Sequence, residues 1–459
     1  MLEGISISMF EISKINSSPI AYTKANTPVE EKKTETKPVT KPEAFAKVSA
    51  SNLRAYIPSF TAKNDKIVSQ KKQIKAIQSQ LDAESKAIFK ALQANGILEN
   101  NDSNDGSTVM DNLYKIATEP RFIGLSQSQI LKDVLKALSN PFSITQQFGD
   151  IPEEVAREYE RKMGTPFPEQ AKNVVSSDCV VASIEFNLAK SKPAEFARFA
   201  EGLSSQNYEV SKTEKIESIA NGSMTSALWK LRNFNTDSQI HSNWDDFTIK
   251  IKPDRNAIIR ARVQSSYKDP GERSVVDVLI QSALLNLGSQ NTYDAITDER
   301  TGSLNFDKTG LNETEKSFVE EVVFEKPKFS VVYQEIDENC KLTGYRCEQA
   351  ETKQHILNSL SLGENVIIGY THINEDKQID GGHEITIIGY QEDENGNGYF
   401  ICNDTDDRKD EPIIMSEKEL LPMIHHAGIS KEALNPSDEY EESWKEALRF
   451  VKGQLTANN

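Results

Sequence analysis

The chain has 459 residues and a formal net charge of −17, long enough for two or three domains with a sizeable core. That acidity argues against nucleic acid or an anionic membrane surface as partner. No apolar run reaches the length of a membrane span, residues 1–20 lack the basic flank and continuous apolar core of a signal peptide, and four cysteines are too few for a disulfide framework in a chain this long. None of this assigns a compartment.

Residues 23–43 are rich in Thr, Pro, Lys and Glu with almost no apolar content, which predicts a disordered segment over 1–60. A helical stretch follows. Ile67, Ile74, Ile77, Leu81, Ile88 and Leu92 form one stripe over residues 65–94, ended by Gly96. Shorter helices are expected over 108–118, 126–138 and 152–163. Together they predict a small helical domain over 61–165, read as a packing unit, with a regulatory or partner-binding role as the alternative. The loop from Asn101 to Gly106 resembles a calcium loop in its first half, but Asn112 stands where a bidentate Glu is needed.

The stretch Asn173-Val-Val-Ser-Ser-Asp178-Cys179 leads directly into a helix. Val181, Ile184 and Leu188 recur at helical spacing, and Asp178 is a competent cap. Cys179 then sits in the first turn, where free backbone N–H groups and the helix dipole favour a thiolate. The same residues also fit a small buried cysteine on an amphipathic helix. A second helix is expected over 192–203, strands over 247–252 and 257–263, and a helix over 274–287 stopped by Gly288. His241 reads as a surface residue.

From Phe329 onward strands dominate, with a helix over 352–360 carrying His355. Gly382-His383 leads a β-branched strand that runs to Tyr390. A turn follows over 393–398, then a short strand that ends in Cys402-Asn403-Asp404. Such a hairpin can bring Asn403 or Asp404 to the His383 ring, and a base oriented by a third polar group is what a cysteine nucleophile requires. His372 reads as a surface-loop residue. Cys340 and Cys347 bracket a turn and are expected to be free thiols. His425-His426 lacks further metal ligands nearby in sequence and reads as the end of a helix, so no metal or cofactor is expected. An acidic helix over 438–455 closes the chain.

The segments around Cys179 and His383 resemble the catalytic segments of papain-like cysteine peptidases, nearest to the calpain core and the bacteriocin-processing peptidases. Residues 274–288, with Tyr293 soon after, resemble the helix and loop between the calpain subdomains. Val180 replaces the aromatic residue usual after the cysteine, and Asn173 stands where the family has the oxyanion-hole glutamine. The resemblance implies an α+β, two-lobed fold over 166–430, a helical lobe facing an antiparallel β lobe, with residues 431–459 as a C-terminal helix. It also implies peptide hydrolysis of a protein or peptide substrate, with self-processing left open. Cys179 is the expected nucleophile and His383 the base. Asn403 or Asp404 orients the base, and Asn173 stabilises the oxyanion. A degenerate binding module and a transglutaminase-like acyltransferase remain the alternatives.

Overall fold

A computed structural model of the chain describes residues 60–168, 176–219, 224–235, 237–267, 271–300, 309–406 and 410–434. The N-terminal segment over 1–59, Asn173 and the helix expected over 438–455 lie outside them. The described residues combine helices with antiparallel sheet in an α+β arrangement.

The first helices are α1 (Phe60–Ser79), α2 (Ala83–Ala94), α3 (Val109–Thr118), α4 (Gln127–Ser139) and α5 (Glu153–Met163). The apolar stripe over 65–94 therefore belongs to two helices and not one. Asp82 leaves helical geometry and accepts the Ser85 N–H at 2.8 Å, so its carboxylate caps a new helix. The loop before α3 is a latch. Asp102 accepts the Ala194 N–H at 2.8 Å, and Asn104 donates its N–H to Glu195 and accepts from that of Thr213.

Next come α6 (Cys179–Ser191), α7 (Pro193–Ser204), β1 (Val210–Lys215), α8 (Met224–Phe234), β2 (Gln239–Ile240), β3 (Asp246–Ile251), α9 (Ala257–Tyr267), α10 (Val275–Gly288) and α11 (Glu313–Phe324). Residues 257–263, expected as a strand, form α9. Its buried residues Ala257, Arg260, Ala261 and Gln264 recur at helical spacing, and Asp254 accepts the Asn256 N–H at 2.7 Å just before it starts. Helix α10 begins with a capping box between Ser274 and Asp277.

Leu113 of α3, Leu131 and Val134 of α4, Ile184 and Leu188 of α6, Phe196 and Phe199 of α7, and Leu284 of α10 belong to one apolar cluster. Each such buried side chain contributes roughly 1.5–3 kcal/mol relative to exposure. Helices α1 to α4 thus share a core with those that follow Cys179, while Ala156 of α5 belongs to a separate small cluster with Phe167 and Ile296.

The remaining elements are β4 (Lys328–Val332), β5 (Gln334–Ile336), β6 (Leu342–Tyr345), α12 (Gln349–Ser361), β7 (Val366–Ile373), β8 (Ile379–Glu392), β9 (Gly398–Asn403), β10 (Ile413–Ser416), α13 (Glu417–Leu420), β11 (Ile424–Ser430) and α14 (Lys431–Leu434). Six of them form an antiparallel sheet in the order β10-β9-β8-β7-β11-β4. Alternation along β7 splits its side chains between two layers. Ile367 joins the helical cluster, while Val366 and Ile368 join a second cluster with Ile356 of α12. His425 and His426 do not end a helix. They are the second and third residues of β11: His426 pairs with Gly369 of β7 and Val332 of β4, while the register with β7 slips between Ile424 and His426, so His425 sits at an irregularity where the two rings can turn to the same side.

Candidate active site

Cys179 is the first residue of α6 and is only partly buried. Its Sγ lies 3.9 Å from the Ser177 carbonyl oxygen. Asp178 occupies the cap position, yet its side chain caps nothing. Instead it turns into the core, where Arg273 Nη2 donates to its Oδ2 at 2.9 Å and the Tyr293 hydroxyl does so at 3.2 Å. Tyr293 also donates to Asp298 at 2.6 Å, and Asp298 accepts the Ser177 N–H at 3.1 Å. Burial raises the Asp178 carboxyl well above its ordinary range, the nearby Asp298 charge adds to this, and Arg273 opposes both. The backbone just before Cys179 is therefore anchored from beneath by a buried polar network.

His383 lies within β8, opposite Tyr370 of β7, whose ring stands edge-on 5.7 Å away. His383 Nε2 is 2.7 Å from Asp404 Oδ1, just past the end of β9. The Cys179 thiol is the other group that acts on the His383 ring. Burial pulls the imidazole pKa down, but the hydrogen bonds and negative charge of Asp404 and Cys179 outweigh it and raise the pKa to about 10. His383 thus stabilises the fold fully below its ordinary 6.5, and that contribution is lost as pH rises towards about 10. Burial and the same two neighbours push the Tyr370 phenol up to about 12.

Asp404, and not Asn403, meets the imidazole. Asn403 ends β9 opposite Thr386; its side chain is buried, and Nδ2 has no hydrogen-bond partner among the described residues. His372 is an exposed residue of β7 itself, not of a loop. His241 is half-buried and bonds Thr248 at 2.9 Å. His355 is buried on α12 against the Tyr333 hydroxyl. Cys340 and Cys347 are free thiols, and Cys402 is buried within β9.

A residue that drew no attention in the sequence ties the two halves together. Gln146 donates from Nε2 to the Ser176 carbonyl at 3.2 Å and accepts the Thr405 hydroxyl on Oε1 at 3.1 Å. Its backbone N–H donates to the Thr405 carbonyl at 3.0 Å, and its own carbonyl accepts from Arg273 at 2.8 Å. One glutamine thus bridges the approach to Cys179 and the turn carrying Asp404. Replacing it with leucine leaves both partners' polar atoms buried and unpaired, so Gln146→Leu is expected to lower stability by about 1–3 kcal/mol in denaturant unfolding.

The arrangement places a thiol, an imidazole and a carboxylate in sequence at a helix N-terminus. Such a set can generate a nucleophilic thiolate and return a proton to a leaving group. No protein-family model matches the chain, and a search of curated proteins finds no match.

Proposed function

We propose that the chain is a cysteine peptidase of two-lobed, papain-like architecture. The helices around α6 form one lobe and the six-stranded sheet the other. The observation that carries this is the convergence of Cys179, at the head of α6, with the His383–Asp404 pair of the β8–β9 hairpin. The substrate class is a protein or peptide.

In the proposed cycle Cys179, as thiolate beside an imidazolium, attacks the peptide carbonyl carbon. The developing oxyanion is met by the Cys179 backbone N–H, free at the helix start. His383 gives its Nδ1 proton to the leaving amine, the C–N bond breaks, and an acyl-enzyme remains. Water then attacks the thioester, His383 accepts its proton, and the carboxylic product leaves with the thiolate restored. Asp404 holds the imidazole in the tautomer and orientation this requires.

The acidic third member also suits acyl transfer to an amine, as in transglutaminase-like enzymes. Incubating the full chain and Cys179→Ala with a quenched fluorescent peptide library, with and without a primary amine, separates the two. Cleavage by the wild type alone supports the peptidase. Amine incorporation without cleavage supports the transferase. No turnover of either kind, with no labelling of Cys179 by an epoxide probe, leaves a binding role and overturns the proposal.

A further inference from the structure

A second cluster of chemistry-bearing side chains lies outside this site, and its contacts are different ones. Consecutive residues of a strand project to opposite faces. His383 meets Cys179, Asp404 and Tyr370, while Glu384 meets Lys316 of α11 at 3.2 Å and His426 of β11 at 2.7 Å. The sheet register explains the second contact. His426, Gly369 and Glu384 lie in one row across β11, β7 and β8. The middle position has no side chain, and a Cβ at Gly369 would collide with both the His426 ring and the Glu384 carboxylate. Glycine therefore lets an imidazole reach a carboxylate two strands away.

His426 Nε2 faces Glu384 Oε1, so its Nδ1 is left pointing elsewhere. It lies 3.0 Å from Nδ1 of His425. His425 Nδ1 is in turn 3.6 Å from Oε1 of Glu313, the first residue of α11. One ligating atom from each of Glu313, His425 and His426 lies within 4.8 Å of the other two. We infer that these three residues form a divalent transition-metal site, with zinc(II) as the ion the donor set fits best.

The geometry supports this at the two contacts that share His425 Nδ1. Two metal–ligand bonds of about 2.05 Å span the 3.0 Å and 3.6 Å separations at angles of about 95° and about 120°, which bracket the tetrahedral value. Two imidazole nitrogens and one carboxylate oxygen are a donor set suited to zinc, with the fourth position left for water. A ligating histidine that gives its other nitrogen to a carboxylate is the usual outer support of such a site, and Glu384 supplies it for His426. Lys316 balances part of the Glu384 charge. Glu313 and His425 keep 35% and 20% of their side-chain surface exposed, which gives an ion a way in.

The sequence concealed this site. Glu313 is more than a hundred residues from the histidine pair, and only the insertion of β11 between β7 and β4 brings them together.

The test uses the full chain, stripped with a chelator, in a Cys179→Ala background so that the thiol cannot bind the ion. Zinc is titrated against a chromophoric competitor, and cobalt(II) serves as a spectroscopic probe. The expected result is one zinc per chain and visible d–d absorption from bound cobalt. In His425→Ala both should be lost, and in Glu313→Gln affinity should fall at least tenfold. Glu313 is only half-buried, so this variant removes a ligand without opening the core, and an unchanged metal-free melting curve shows that the fold is kept. Absence of stoichiometric zinc in the parent protein overturns the inference, because the two Nδ1 atoms then merely share a proton. Zinc binding that His425→Ala and Glu313→Gln leave unchanged overturns it equally.

Discussion

Under the proposed peptidase mechanism, Asp404→Ala is expected to slow peptide hydrolysis by about 10²–10⁴-fold, while Asn403→Ala leaves the rate within about tenfold of wild type. The two positions differ by one residue, but their surroundings differ in kind. Asp404 stands 2.7 Å from the His383 imidazole, with its Oδ1 also accepting the Asp406 N–H at 2.9 Å. Asn403 is a buried strand end with no contact to the imidazole among the described hydrogen bonds. Without Asp404 the His383 ring is free to rotate and to adopt the wrong tautomer, so both thiolate formation and proton return to the leaving group suffer. The measurement is kcat/KM on one peptide for both variants. A larger loss in Asn403→Ala than in Asp404→Ala would reverse the assignment.

Arg273→Met should destabilise the protein by about 3–5 kcal/mol, the usual result of removing one partner from a buried ion pair. Arg273 is fully buried. It reaches Asp178 at 2.9 Å, the Ser176 hydroxyl at 2.6 Å and the Gln146 carbonyl at 2.8 Å, and its guanidinium stacks 3.7 Å from the centre of the Phe148 ring. Methionine keeps much of the volume and none of the donors. The loss would be read from urea unfolding of the two proteins, and Asp178→Asn, which keeps the shape and a hydrogen-bonding side chain, should lose less. If Arg273→Met unfolds at the wild-type denaturant midpoint, the network beneath Cys179 is not what holds that segment.

Much of the frame was legible in the sequence because it rests on short-range signals. The spacing of Val181, Ile184 and Leu188 gave the helix behind Cys179, and the turn residues from Asp393 to Gly398 gave the β8–β9 hairpin. The choice between Asn403 and Asp404 was not legible. It depends on register, where a shift of one residue exchanges the faces, and the pairing of β8 with β9 carries an irregularity between Ile387 and Gly389. The helix over 257–267 was misread because Ile258 and Ile259 favour strands, whereas the spacing of the buried Arg260 and Gln264 became visible only with the core in place. The partners of Asp178 lie 95 and 115 residues away, and no local pattern announces such contacts. Asp178 was read as a cap for the same reason: the residue type suits a cap, but a buried arginine and tyrosine compete for its carboxylate.

The most direct test of the proposed chemistry is the pH dependence of iodoacetamide alkylation at Cys179. It is followed by peptide mass spectrometry in wild type and His383→Ala, with the exposed Cys340 as the reference thiol in the same sample. A free thiol with a pKa of about 8.5 is almost entirely protonated at pH 6. Paired with His383, Cys179 is expected to react at pH 6 about a hundredfold faster than Cys340, and to lose that advantage in His383→Ala. If Cys179 follows the ordinary thiol titration in both proteins, or does not react in either, the thiolate–imidazolium pair does not exist and the peptidase proposal fails.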